Sequence, residues 1–252
     1  MTEVLAAEGF VDLHCHVLHA VDDGPESVRG SVDIALGLKR LGWTCLVATP
    51  HVRPGLYDPA DDAILASLRE LRETLGAGGP RVLLAGEHYL SEETWLRIAD
   101  GRGRVYPNGR SILLEISTAG PAPARLSEQL FRMRVGGLRP VLAHPERCAA
   151  FQDDPSLFEE LQRAGVAFAL DLTSLVGQGG RGARRAAERM LDQELADVAC
   201  TDVHDARELP DVERAMERVR KIGGDAALER LLHAGPMRLA LETAARPAEA
   251  RR

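Results

Sequence analysis

His14 and His16 stand two residues apart at the end of an apolar run, Phe10-Val11-Asp12-Leu13, and the pair Asp22-Asp23 follows shortly after. On an extended backbone, residues i and i+2 share a face, so both imidazoles can aim at one point beyond the strand end. A lone His-x-His is weak evidence. Its weight here comes from repetition along the chain. His51 follows Thr44-Cys45-Leu46-Val47-Ala48-Thr49, and Glu87 follows Val82-Leu83-Leu84-Ala85-Gly86. Glu115 ends Ser111-Ile112-Leu113-Leu114, and His144 follows Pro140-Val141-Leu142-Ala143. Asp202 and His204 follow Asp197-Val198-Ala199-Cys200-Thr201. Imidazoles and carboxylates without thiolates suit Mn²⁺, Fe or Zn²⁺ rather than a cysteine-based structural zinc. Two or three such cations ~3.5–4 Å apart can grip a phosphate, acidify a water and neutralise a leaving oxygen.

The elements that must position these side chains read as seven strands alternating with helices. Helices are expected from Ser27 to about Leu41, from an Asp58-Pro59 cap to about Leu75, and over 92–99, 122–135, 155–164 and 183–195. Three more are expected over 208–222, 226–233 and 236–244. Residues 101–110, rich in glycine and arginine, read as a loop or small hairpin. Strand–helix alternation favours an α/β fold, a distorted parallel β/α barrel with seven strands rather than eight. The strands are continuous apolar runs, as a sheet buried on both faces requires. In such a barrel the C-terminal strand ends converge on one rim, and six of the seven predicted strands deliver a ligand-type residue there. A doubly wound sheet is the alternative, but no Gly-x-Gly-x-x-Gly follows the first strand. No linker divides the chain, so 1–245 reads as one domain and 246–252 as a disordered tail.

Composition excludes several classes. The 252 residues carry a net charge of −7, which argues against a nucleic-acid backbone binder. No apolar run approaches the ~20 residues that span a bilayer, and the first residues lack a secretory signal, so a cytoplasmic location is expected. Cys15, Cys45, Cys148 and Cys200 form no Cys-x-x-Cys pair and read as buried reduced thiols. A thiol-type phosphotyrosine phosphatase needs Cys-x5-Arg, but the residues six positions on are Val21, His51, Asp154 and Ala206. That mechanism is absent.

Together, His14-Cys15-His16, Val21-Asp22-Asp23-Gly24-Pro25, Ala48-Thr49-Pro50-His51 with Gly55-Leu56-Tyr57, Ala85-Gly86-Glu87, Leu114-Glu115, Ala143-His144-Pro145-Glu146-Arg147 and Thr201-Asp202-Val203-His204 resemble the PHP (polymerase and histidinol phosphatase) superfamily. The match is nearest its bacterial manganese-dependent protein-tyrosine phosphatases of capsule and exopolysaccharide clusters, and it runs from about Phe10 to Leu241. The resemblance implies three metals, Mn²⁺ by preference: one on His14, His16, Glu87 and Asp202; one on Glu87, Glu115 and His144; one on His51, His204 and an acid of the Asp22-Asp23 pair. Spacing favours Asp22. It further implies Arg147 as a phosphate clamp, because a guanidinium matches two phosphate oxygens. The bland reading of Arg147 is an ion pair with Glu146.

After the sixth expected strand, Val166-Ala167-Phe168-Ala169-Leu170-Asp171, the family tends to carry Gln-x-Asn, where this chain reads Leu170-Asp171-Leu172-Thr173-Ser174-Leu175, so substrate contacts there do not carry over. The implied reaction is direct hydrolysis of phosphotyrosine by a metal-activated hydroxide, with Arg147, Asp202 and His204 in the catalytic machinery. A general acid, if used, is sought at His88 or Asp171. The implied partner is a phosphotyrosine protein, the tail of a bacterial tyrosine autokinase. The competing readings are a histidinol-phosphatase-like phosphoesterase, an exonuclease and an inactive scaffold.

Overall fold

In the computed structural model, which describes residues 7–242, strand and helix alternate from the first element onward. β1 (Phe10–Cys15) leads to α1 (Val28–Arg40). β2 (Trp43–Ala48) and β3 (His51–Val52) lead to α2 (Asp61–Leu75). β4 (Arg81–Leu84), β5 (Glu87–Tyr89) and α3 (Glu92–Ala99) precede β6 (Ser111–Glu115) and α4 (Leu126–Val135). β7 (Arg139–Ala143) is followed by α5 (Ala149–Asp153) and α6 (Ser156–Arg163), β8 (Ala167–Asp171) by α7 (Gly180–Asp192), and β9 (Val198–Cys200) by α8 (Leu209–Glu229). Every ladder between these strands is parallel, as expected of an α/β chain. One sheet runs β1-β2-β4 and the other β3-β5-β6-β7-β8-β9.

The third expected strand is broken at Ala85-Gly86, and a short strand, β3, follows the second after a gap. β2 stops before Thr49-Pro50, and Pro50 has no N–H to offer a ladder; β4 stops before Ala85-Gly86. Single hydrogen bonds cross the breaks, from Ala85 N–H to Ala48 O (2.9 Å) and from Glu87 N–H to Pro50 O (3.1 Å). β1 and β9 also touch without a ladder. Asp202 N–H donates to His14 O (2.9 Å) and His16 N–H to Val203 O (3.0 Å). The fully buried Asp12 carboxylate reinforces this seam, accepting from the Thr201 N–H (3.2 Å), the Thr201 hydroxyl and the His14 N–H (3.1 Å).

The apolar residues divide into two clusters. The larger is rich in Leu and Phe and lies between strands and helices, with Leu46, Ile112, Leu142 and Phe168 facing it. The smaller is built from slimmer side chains on alternate positions of the same strands, among them Val11, Val47, Ala143, Ala169 and Cys200. Tyr106 plugs it, donating its hydroxyl to Leu13 O at 2.9 Å. The β1–β2 register slips between Asp12 and Cys15. Leu13 therefore stays in the small cluster while Cys15 packs in the large one, a bulge that re-aims the intervening side chain.

Several element boundaries differ from the sequence expectation. α2 starts at Asp61 with Ala60 as its N-cap; Asp58 instead holds Arg97 through two bonds of 2.7 and 2.8 Å. α4 begins at Leu126, because Arg125 before it takes a left-handed φ of 62°. α7 opens earlier, at Gly180. Beyond Glu208 one helix continues through Glu229 with a break at Gly224 (φ 71°), and π-helical turns follow at Arg230–Ala234 and Met237–Leu241. Residues 101–110 form a loop of turns, the first of the two expected alternatives. The expected tail, 246–252, lies outside the described residues.

Asp12→Ala removes the acceptor for three donors, two of them buried backbone N–H groups. A loss of about 2–4 kcal/mol in urea unfolding is expected; an unchanged midpoint would contradict the seam.

Candidate metal centre

Glu87 lies at the centre of the strand ends. Its carboxylate is fully buried, with His144 Nε2 at 3.1 Å and His14 Nε2 at 3.3 Å from Oε1. His51 Nδ1 at 2.8 Å and His16 Nε2 at 3.4 Å face its Oε2. Asp202 Oδ1 stands 3.2 Å from His14 Nε2 and 3.5 Å from His16 Nε2. Ligand-capable atoms converge in four overlapping groups: His14, His16 and Glu87; His14, His144 and Asp202; His51, Glu87 and Glu115; and His16, Asp23, His51 and His204.

Local backbone sets these directions. His144 and Asp202 each take a positive φ, 32° and 50°, rare for residues with a side chain. Strain of this kind persists only where the surroundings enforce it. Here the His144 N–H is held by Ala169 O at 2.9 Å and the Asp202 N–H by His14 O at 2.9 Å. Gly24 completes the turn after β1, where a Cβ would collide with the His16 carbonyl oxygen.

The imidazoles are pre-set by their second nitrogens. His16 Nδ1–H donates to Asp22 Oδ2 at 2.8 Å, and His204 Nδ1–H to the Asp202 carbonyl at 2.7 Å. Each bond leaves Nε2 pointing inward with a lone pair, the arrangement by which metal-binding histidines are oriented. The acid beside His51 and His204 is therefore not the Asp22 chosen by spacing. Asp22 is occupied by His16, by the His51 N–H (3.1 Å) and by the Gly24 N–H (3.0 Å). Asp23 Oδ1 instead lies 3.4 Å from both His51 Nε2 and His204 Nε2.

The fit to cations rests on buried atoms that lack a hydrogen bond. Glu115 Oε2 is buried and makes no hydrogen bond among the described residues, and Glu87 Oε2 and His51 Nδ1 stand 2.8 Å apart without hydrogen-bond geometry. Burial raises Glu87 and Asp202, but the neighbouring His14 charge and imidazole hydrogen bonds outweigh it, holding both well below the carboxylate range. Glu115 goes the other way: burial, then the charge of Glu87, push it up. Two buried carboxylates that repel, ringed by imidazoles, are satisfied by a bound cation.

Arg147 does not pair with Glu146. Its guanidinium reaches Asp171 Oδ2 at 2.6 Å and Asp202 Oδ2 at 2.9 Å. Glu146 is buried, pushed to about 7 by burial and by Asp171, and takes the Ser174 hydroxyl at 2.8 Å. A cleft of about 210 Å³ opens beside Arg147, Asp202 and His204. Asp171 is fully buried and accepts from Thr173 N–H (2.8 Å), so it anchors Arg147. His88, the other candidate acid, is a strut: burial lowers it to about 4, Nδ1–H donates to Leu113 O (3.0 Å), and Nε2 accepts from Arg104 N–H (3.1 Å). In the 101–110 loop, Arg102 is paired with Asp100 and Arg104 with Asp61, so neither charge is unopposed.

Fold and site together define a parallel α/β protein with a candidate polynuclear metal centre at its strand ends. The chain belongs to the family described as capsular polysaccharide synthesis, CpsB/CapC, whose model matches residues 10–241. It is 28% identical over 200 residues to tyrosine-protein phosphatase YwqE of Bacillus subtilis, covering 78% of each chain. It is 22% identical over 240 residues to tyrosine-protein phosphatase CpsB of Streptococcus pneumoniae, covering 92% of this chain and 98% of the relative. A chain from the crystal structures of YwqE and CpsB, called unique metal-dependent tyrosine phosphatases, superposes with a TM-score of 0.80 at 25% identity, over 92% of this chain and 94% of that one. No helix among the described residues is long and apolar enough to cross a membrane.

The His88 strut has a pH signature. Its pKa falls from 6.5 to about 4, so the unfolded chain takes up the proton first on acidification, and stability is lost as pH falls from 6.5 towards 4. The stability advantage of the parent over His88→Gln is expected to shrink by about 3 kcal/mol between pH 7 and pH 4. A constant gap would contradict the neutral strut.

Proposed function

We propose that the chain is a protein-tyrosine phosphatase that hydrolyses phosphotyrosine on a protein partner with two or three bound cations, Mn²⁺ by preference and Fe or Zn²⁺ as alternatives. The observation that carries this reading is the convergence of imidazole and carboxylate atoms in overlapping groups around Glu87; the activity of the relatives supports it. His14, His16, Glu87 and Asp202 would hold one ion, Glu87, Glu115 and His144 a second, and Asp23, His51 and His204 a third. Bound there, the cations supply Lewis acidity and an activated water.

The chain's own residues do the rest. Asp22 and the Asp202 carbonyl fix the His16 and His204 tautomers. Arg147, braced by Asp171, presents its guanidinium to phosphoryl oxygens at the edge of the cleft. A tyrosyl oxygen departs at a phenolic pKa of about 10, so it needs less protonation than an alkyl alcohol, which is consistent with the absence of an apt general acid at His88. The two sheets and the β1–β9 seam are read as one closed, distorted seven-strand barrel, forming a single domain with the metal centre at its C-terminal rim. We place the enzyme in the cytoplasm, where its free, buried thiols stay reduced, acting on the tail of a tyrosine autokinase.

Phosphate release from a phosphotyrosine peptide should require added Mn²⁺ and stop with chelator, while histidinol phosphate is turned over poorly. Preference for histidinol phosphate would move the enzyme to small-molecule chemistry. His144→Ala should lower turnover at least about hundredfold. Asp23→Asn should remove one bound ion per chain, whereas Asp22→Asn should keep the ion count and weaken affinity about 10–100-fold. The reverse pattern would restore Asp22 as the ligand.

A further inference from the structure

The arginines around the strand ends mostly face carboxylates: Arg97 faces Asp58, Arg104 faces Asp61, Arg147 faces Asp171 and Asp202, and Arg207 faces Asp205. Arg53 is different. Its side chain makes no ion pair or hydrogen bond among the described residues, its charge reaches only as far as the Glu115 carboxyl at longer range, and its guanidinium carbon lies 4.1 Å from the Tyr89 ring centroid. The strand register explains the stacking. His51 pairs with Glu87 and Val52 with His88, so Arg53 comes opposite Tyr89. Both therefore stand two residues beyond a ligand-type residue and on the same face as it.

The position is rigid. Arg53 N–H donates to Tyr57 O at 2.6 Å, Tyr57 N–H returns to Arg53 O at 2.9 Å, and the Tyr57 ring stacks on His51 with centroids 5.3 Å apart. Stacked on a ring face, a guanidinium keeps its in-plane N–H donors free for an anion. Two residues of extended chain span about 7 Å, so Arg53 stands that far outward from His51 along the strand. That offset also separates a residue of an extended peptide from its second neighbour.

We propose that Arg53 is a specificity-determining residue that binds a carboxylate side chain flanking the phosphotyrosine of the substrate. This role rests on the phosphotyrosine reading above. With the phosphoryl group at the cluster, Arg53, two residues outward from His51, meets the neighbouring substrate residues. Arg102 and Arg104, already paired with carboxylates of this chain, are poorer candidates for an acidic substrate.

The test compares the Mn²⁺-loaded parent and Arg53→Gln on two phosphotyrosine peptides of equal length, one with Glu two residues before and two residues after the phosphotyrosine and one with Gln at both places. The parent should prefer the acidic peptide, and Arg53→Gln should lower the acidic-to-neutral ratio of kcat/KM about five- to tenfold, mainly through KM. Calorimetric binding of the acidic peptide carrying a non-hydrolysable phosphonate should weaken by the same factor, and Arg53→Lys should recover part of it. An unchanged ratio overturns the proposal. So does an equal loss on both peptides, which would put Arg53 on the phosphoryl group. A parent that releases phosphate from neither peptide overturns the phosphatase reading itself, and this role with it.

Discussion

The structure turns on one buried carboxylate. Glu87 has no exposed surface, and four imidazoles, those of His14, His16, His51 and His144, lie within 3.4 Å of its oxygens. Removing such a charge from water is costly unless opposite charges or donors replace the solvent. Imidazoles do this only as charged donors, as the lowered Glu87 carboxyl requires. Glu115 and Asp202 add further negative charge to the same space. Held together by charged imidazoles, the cluster suits cations, which can take the place of those protons and receive the same nitrogen lone pairs.

Everything nearby serves that geometry at some cost to regularity. The β1–β2 register slips between Asp12 and Cys15, where the two histidines emerge. The strands that deliver His51 and Glu87 each break just before those residues, and single hydrogen bonds bridge the gaps. His144 and Asp202 adopt left-handed backbone. Six of the ligand-type residues thus sit at or just past an irregularity at a strand end, and regular ladders behind them carry the folding load. Asp12 is the counterpart on the structural side. It joins β1 to β9 where no ladder does, so the two ends of the strand series meet beneath the cluster.

Much of this was legible in the sequence because it depends on alternation and on strand ends. Apolar runs ending in His or Glu predicted the strands, their parallel order and the convergence of His14, His16, His51, Glu87, Glu115, His144, Asp202 and His204. What escaped was short-range geometry. Asp22 and Asp23 are adjacent acids, and only the turn at Gly24 and the His16 hydrogen bond distinguish orienting partner from inward-facing acid. His88 reads as an acid or base until its two ring nitrogens are traced to Leu113 and Arg104. The Asp12 seam carried a faint signal, a carboxylate inside an apolar strand two residues before His14. The partner of Arg147 was hidden because Asp171 arrives from a different strand, 24 residues on.

The most direct test of the account is diffraction at the manganese absorption edge from crystals grown with Mn²⁺. The account predicts two or three anomalous peaks around Glu87, one of them shared by His14, His16 and Asp202 and one beside Asp23, His51 and His204. A map with no peak inside this ring, or with manganese bound only elsewhere on the molecule, would contradict it.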